Sequence, residues 1–214
     1  MDPNFWHKRW EKNEIGFHQS EVNALLSDHF LGLSLPRTSR IFVPLCGKTR
    51  DIAWLLSQGY RVVGVELSKL AVEQLFADLG VAPEISNQGE LLRCSAPDLE
   101  IFVGDIFELS DDLLGGVDAI YDRAALVALP TELRGRYGAH VAAITQMAPQ
   151  FLICFEYDQA VMKGPPFSID RHKVHDLYGM QYQIEPIANR DVAGGLKGKC
   201  PAQEVVWHLV KTQI

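Results

Sequence analysis

From Arg40 onward the chain alternates short, nearly continuous apolar runs with longer runs of helical spacing, and few folds accept that pattern. "RIFVP" and "RVVGVEL" are brief and β-branched, as expected of parallel strands buried on both faces. Between them, "TRDIAWLLSQGY" spaces Ile52, Leu55 and Leu56 along one helical face and stops at Gly59, so the three segments predict one βαβ unit. "SKLAVEQLFADLG" follows as a helix, with Ser68 as N-cap, an apolar stripe of Leu70, Leu75, Phe76 and Leu79, and Gly80 as its end.

The alternation then repeats. Residues 83–95 are more polar and predict a small β excursion; "LEIFVGDIF" is a third core strand turning at Gly104-Asp105, and "GVDAIYDRAAL" a fourth strand with its loop. A helix is expected from Thr131 to Ala148, a fifth strand in "QFLICFEYD", and a helix around Arg171–Tyr178 after the loop "KGPPFSID". Two closing β runs, Tyr182–Ile187 and Val205–Val210, are joined without a helix and predict an antiparallel hairpin at one edge. Strands alternating with helices give an α/β class, a doubly wound and mainly parallel sheet whose ligands bind at the carboxyl ends of its strands. The first forty residues scatter Phe5, Trp6, Trp10 and Phe17 among polar residues, too aromatic for a free tail and too irregular for a core helix. Residues 1–20 are therefore expected to cover something.

At 214 residues the chain reads as a single domain, 1–214. A formal net charge of −7 with no basic block argues against nucleic acid as a partner. The N-terminus shows no basic stretch followed by an apolar run, and no segment approaches the roughly 18 apolar residues of a membrane span, so the expected compartment is the cytoplasm. Cys46, Cys94, Cys154 and Cys200 lack C-x-x-C spacing, and no third ligand accompanies His172 and His175; no metal site and no disulfide framework is expected. Without a heptad stretch or a long apolar edge, the chain is expected to be a monomer.

"FVPLCGKT" after the first strand ends like a triphosphate loop. The full pattern G-x-x-x-x-G-K-[ST] requires a glycine where Phe42 stands, and Pro44 removes a backbone donor from the would-be cradle. Only Gly47 remains to let a ligand approach closely. Glu66 ends the second strand nineteen positions later, where an acid accepts hydrogen bonds from both hydroxyls of a ribose in dinucleotide folds; the alternative is a helix-capping carboxylate. With one glycine instead of G-x-G-x-x-G, a nucleoside without phosphates fits better than a dinucleotide, and S-adenosylmethionine is such a molecule. Asp105 would accept from an adenine amino group, or else cap a turn, and Ile106 would cover the ring.

Tryptophans four apart in "FWHKRW", then "GFHQ", "FVPLCGK", "VVGVELS", "DIF", "YDRAALVAL" and "GPPF" occur in this order over nearly the whole chain. As an ordered set they resemble the thiopurine S-methyltransferases. The resemblance implies a class I, Rossmann-like methyltransferase fold with seven strands, the last antiparallel, and methyl transfer from S-adenosylmethionine to the sulfur of aromatic and heterocyclic thiols such as 6-mercaptopurine. Carried over by position, cofactor contacts fall on Trp10, Leu45, Glu66 and Arg123, with Ile106 beside the adenine. Trp6 and Phe17 match the N-terminal cover, Phe17 and Arg123 the acceptor pocket, and Pro165 and Pro166 its far wall. "DVAGGLKGKCP", Asp191–Pro201, departs from the family pattern.

No residue is expected to act as a strong base, because an acidic thiol ionises without one and alignment then does most of the work. Arg123 would hold a thiolate or purine nitrogen; its alternative is an ion pair with Glu156 or the neighbours of Asp122. Three rivals stand beside this reading: methylation of inorganic selenium or tellurium species or of a natural thiol, a nucleoside-binding module without chemistry, and a nucleoside triphosphatase.

Overall fold

Two of the apolar runs, β1 (Arg40–Pro44) and β2 (Arg61–Glu66), pair in parallel in the computed structural model, which describes residues 3–212. They belong to the first of two units, which runs to Ala119; the second begins at Ile120. A further parallel strand, β5 (Leu99–Val103), flanks β2, and the hairpin of β3 (Glu84–Gln88) and β4 (Leu91–Ala96) adds to it antiparallel. The strand order in this unit is β3-β4-β5-β2-β1.

Local chemistry sets the helix starts. Thr49 Oγ1 accepts from the Asp51 N–H to begin α3 (Arg50–Ser57), and Ser68 Oγ accepts from the Ala71 N–H to begin α4 (Lys69–Leu79). Gly80, at φ +70°, ends α4 with a left-handed cap. Its buried face is Ala71, Val72, Leu75 and Phe76, so of the expected stripe Leu75 and Phe76 are buried, Leu79 is half-buried, and Leu70, 36% exposed, is replaced by Ala71 and Val72.

The first forty residues are more regular than their composition suggests. They hold α1 (Pro3–Glu11) and α2 (Ala24–His29), and Trp10 is the one buried residue of α1 among those whose side chains are described. Asn23 explains the second helix: its side chain accepts from the N–H groups of Leu25 and Leu26, while its own N–H donates to the buried Asp51 carboxylate at 2.8 Å. A short α5 (Asp111–Leu114) completes the helices of this unit.

Gly64, inside β2, is a packing requirement. A Cβ there would lie 2.9 Å from Ile101 Cδ1, 3.0 Å from Cys46 Sγ and 3.2 Å from the Val43 carbonyl oxygen. Gly64→Ala is expected to destabilise the protein by about 1–3 kcal/mol, read as a lower midpoint in urea, because the core must shift around the added methyl. An unchanged midpoint would mean that the turn carrying Cys46 yields freely.

In the second unit β6 (Ala119–Arg123) and β7 (Gln150–Tyr157) are parallel, and the order is β6-β7-β9-β8. β9 (Ala202–Lys211) runs antiparallel to both neighbours, and with β8 (Tyr182–Asp191) forms the expected closing hairpin, longer than its apolar runs imply. The described residues thus contain nine strands where seven were expected; the β3–β4 hairpin accounts for the two additional ones. Two helices belong here, α6 (Thr131–Ile144) and α7 (Arg171–Tyr178). α6 stops four residues short of Ala148 because Gln146 and Met147 adopt positive φ, +53° and +60°. His172 and His175 lie on α7, and no metal-ligating group of three side chains occurs among the described residues. No helix among them is long and apolar enough to cross a membrane.

Candidate active site

Parallel pairing puts the carboxyl ends of β1, β2 and β5 on one edge of the first unit, so Leu45–Gly47, Glu66 and Asp105–Ile106 all leave the sheet there. Glu66 is 6% exposed and ties two of these exits together. Its Oε2 accepts from the Gly47 N–H and its Oε1 from the Ser68 N–H, both at 2.8 Å. Burial pushes its pKa up against the pull of those N–H bonds. Each oxygen keeps a lone pair for a further donor.

The turn after β1 has few amides left to offer. The Gly47 N–H goes to Glu66, the Cys46 N–H to the Val65 carbonyl at 3.1 Å, and the Thr49 N–H to the Cys46 carbonyl at 3.3 Å. Lys48 reaches towards Asp78, 3.8 Å away, and the Thr49 hydroxyl caps α3. A triphosphate cradle needs such donors free. They are engaged within the protein, and a buried carboxylate stands behind them, so these residues fit a phosphate-free nucleoside. Leu45, half-buried, adopts φ +46°, a left-handed conformation that costs a non-glycine residue about 1–2 kcal/mol.

Trp10 lies over this turn. Its ring would be 3.2 Å from a Cβ at position 47, which leaves glycine as the residue that fits beneath it. Phe17 packs edge-on against Trp10 at 5.7 Å between centroids and against Trp6 at 5.6 Å, and Phe5 continues the series at 5.1 Å from Trp6. Asp105 is exposed and its Oδ1 accepts from the Phe107 N–H at 3.0 Å, which is the capping arrangement; Ile106 beside it is buried.

In the second unit Arg123 ends β6, partly exposed. No salt bridge joins it to Glu156, whose charged neighbours are Asp170, Arg171 and Lys173. Asp122 beside it is 1% exposed: Oδ1 accepts from the Leu126 N–H at 3.2 Å and Oδ2 from the Tyr137 hydroxyl at 2.6 Å. Burial raises Asp122 to about 6 despite both bonds. Ionisation therefore works against folding: the stability tied to this group is complete below about pH 4 and lost as pH rises through about 6. Pro166 is fixed through its carbonyl, which accepts from the Tyr157 hydroxyl at 2.7 Å, and Phe167 N–H donates to the Val127 carbonyl at 2.7 Å. The unassigned segment at Asp191–Pro201 borders a cavity of about 760 Å³, walled also by Glu156 and Gln203.

The sequence matches the family model for thiopurine S-methyltransferase over residues 1–209. The chain belongs to the thiopurine S-methyltransferase family. A thiopurine S-methyltransferase of Xanthobacter autotrophicus is 56% identical over 98% of this chain and 99% of its own length, and that of Gluconobacter oxydans is 49% identical over 95% and 92%. Among solved structures, the 1,6-didemethyltoxoflavin-N1-methyltransferase of Burkholderia thailandensis, bound to 1,6-didemethyltoxoflavin and S-adenosylhomocysteine, covers 99% of this chain and 87% of that one, with a TM-score of 0.67 and 17% identity. A TehB-like methyltransferase from Corynebacterium glutamicum matches 98% of both chains at a TM-score of 0.59 and 14% identity. These likenesses establish the Rossmann-like methyltransferase fold. Sequence reasoning passed over the pairing of Asp122 with Tyr137 and over Tyr157, which holds the anticipated Pro166; the one available signal was an acid at the penultimate position of an apolar strand.

Proposed function

We infer that this chain is an S-adenosylmethionine-dependent methyltransferase acting on the sulfur of thiopurines and related aromatic or heterocyclic thiols. The observation that carries the reading is the turn after β1, whose Cys46, Gly47 and Thr49 amides are engaged internally while Glu66 keeps lone pairs for a ribose. Family membership supplies the acceptor class. Trp10, Leu45, Gly47, Glu66, Asp105, Ile106 and Arg123 are assigned to the cofactor, and Phe17, Arg123 and Pro166 to the acceptor. Bound there, S-adenosylmethionine supplies an electrophilic methyl group on a sulfonium.

What the chain contributes is alignment and charge. Glu66 fixes the nucleoside end, and the rings of Trp10 and Phe17 offer their faces to a cation, worth about 0.5–2 kcal/mol each. Arg123 is a permanent cation for a thiolate, so a general base is unnecessary. Holding both reactants in line contributes up to roughly 7–11 kcal/mol in well-oriented cases. We further propose a cytoplasmic monomer, one methyltransferase domain with residues 1–20 as its cover, that uses small molecules and not nucleic acid, in keeping with its charge of −7.

The test is turnover of a panel of thiols, 6-mercaptopurine and thiophenol among them, with calorimetric titration of S-adenosylhomocysteine in parallel. Methylated thioethers in the products are expected. Binding without conversion of any thiol would sink the enzyme reading in favour of a nucleoside-binding module.

A further inference from the structure

The Asp122–Tyr137 pair lies deep in the second unit, and the chain of contacts that begins there reaches both features assigned to the acceptor, the Arg123 turn directly and the Gly164–Phe167 loop by way of Leu126 and Val127. Asp122 Oδ1 closes the turn from residue 122 to 126 by accepting the Leu126 N–H, across Arg123 and across Ala124, which adopts φ +63°. That conformation is unfavourable for alanine and needs an outside hold. Leu126 opens the short 3-10 turn Leu126–Ala128, and the Val127 carbonyl in it accepts the Phe167 N–H of the Gly-Pro-Pro-Phe loop. The buried Arg134 guanidinium stacks on Phe167 at 4.9 Å and its Nε donates to the Leu129 carbonyl at 2.8 Å, so α6 holds the same loop a second time. Tyr137, on α6 and fully buried, is where this chain of contacts starts.

We propose that Asp122, held by the Tyr137 hydroxyl, is a positioning residue that sets the Arg123 turn and the Gly164–Phe167 loop together, and thereby governs acceptor affinity and not cofactor affinity. The proposal rests on the assignment of Arg123 and Pro166 to the acceptor. The ionised carboxylate accepts from both the Leu126 N–H and the Tyr137 hydroxyl; once protonated, it carries a proton on one oxygen and no longer accepts on both. Tyr137 on α6, Tyr178 on α7 and Cys154 on β7 are the titratable groups that feel its charge, and burial raises all three. They stay neutral across the physiological range. Among these groups Asp122 alone changes charge near pH 6.

Two variants test this, each assayed with one thiol so that the ionisation of the thiol is common to all. In Tyr137→Phe the bond that lowers the Asp122 pKa is gone, so the acid limb of kcat/KM for the acceptor is expected to move to higher pH and the acceptor KM to rise about tenfold. The Kd for S-adenosylhomocysteine should stay within twofold. Asp122→Asn keeps an oxygen for Leu126 and an N–H for the Tyr137 oxygen without a charge; it should keep the acceptor KM near that of the unmodified protein and lose the limb near pH 6. An unmoved acid limb in both variants overturns the proposal. So does a Tyr137→Phe protein in which melting temperature, cofactor affinity and acceptor KM all decline together, since that is a general loss of structure. Failure of the unmodified protein to methylate any thiol, with cofactor binding intact, instead overturns the functional assignment on which the proposal stands.

Discussion

Glu66→Ala should weaken S-adenosylhomocysteine binding at least a hundredfold in calorimetry while leaving a folded protein by circular dichroism. The substitution removes the acceptor for the Gly47 and Ser68 N–H groups. Each buried N–H left without a partner costs roughly 1–3 kcal/mol, and the turn beneath Trp10 loses its anchor as well. Loss of the bonds assigned to the ribose adds to this. Glu66→Gln serves as the graded control, because its amide oxygen still accepts from one N–H; it should lose about tenfold. Binding by Glu66→Ala within threefold of the unmodified protein would mean that the carboxylate is only the cap joining the β1 turn to the start of α4.

Arg123→Ala should lower kcat/KM for the thiol by ten- to a hundredfold, the worth of one hydrogen bond to a charged group at roughly 1.5–3 kcal/mol. Cofactor affinity should change less. The prediction depends on a guanidinium without a salt bridge to Glu156, since a cation already neutralised would have little to give an acceptor. Lysine at the same position should recover only part of the loss, because it carries the charge without the planar fork. If Arg123→Ala loses cofactor affinity and turnover equally, Arg123 belongs to the cofactor side alone.

Elements with strong local signals were readable without coordinates. Ser68 and Gly80 bracket α4 by hydroxyl capping and a left-handed cap, both set by the residues themselves. β1 and β2 announce themselves because burial on both faces demands continuous apolar character. Where the signal was tertiary, reading failed. α1 carries few apolar residues and is held by Trp10 on Gly47, a contact thirty-seven positions apart in sequence. α6 ends at two left-handed residues that are not glycine, so composition could not mark its end. The β3–β4 hairpin was legible only as a short, polar β excursion at residues 83–95, because β3 is mostly exposed and neither strand is a continuous apolar run.

The site divides in the same way. Gly47 and Glu66 were legible as a pair from their places after successive strands, and the 2.8 Å bond between them fits that pairing. Asp105 carries both of its readings still, though the bond to Phe107 favours the capping one. Asp122 and Tyr137 are fifteen residues apart on a strand and a helix, and nothing local in either predicts the other. The strained φ of Leu45 and Ala124 was equally hidden, because neither residue type advertises a left-handed turn.

The engaged amides around Gly47 bear on which molecules the protein ignores. Adenosine is shared by the methyl donor and by the commonest energy and redox carriers of any cell, so a pocket for adenosine alone would be occupied by the wrong molecules. A phosphate arriving beside Gly47 would meet a buried carboxylate and amide hydrogens already committed to Glu66 and Cys46 partners. ATP and NAD would forfeit hydration there with nothing to replace it. On the assignment of this turn to the cofactor, selection among adenosine carriers is expected at the turn that resembles a triphosphate loop, by withholding the donors such a loop provides.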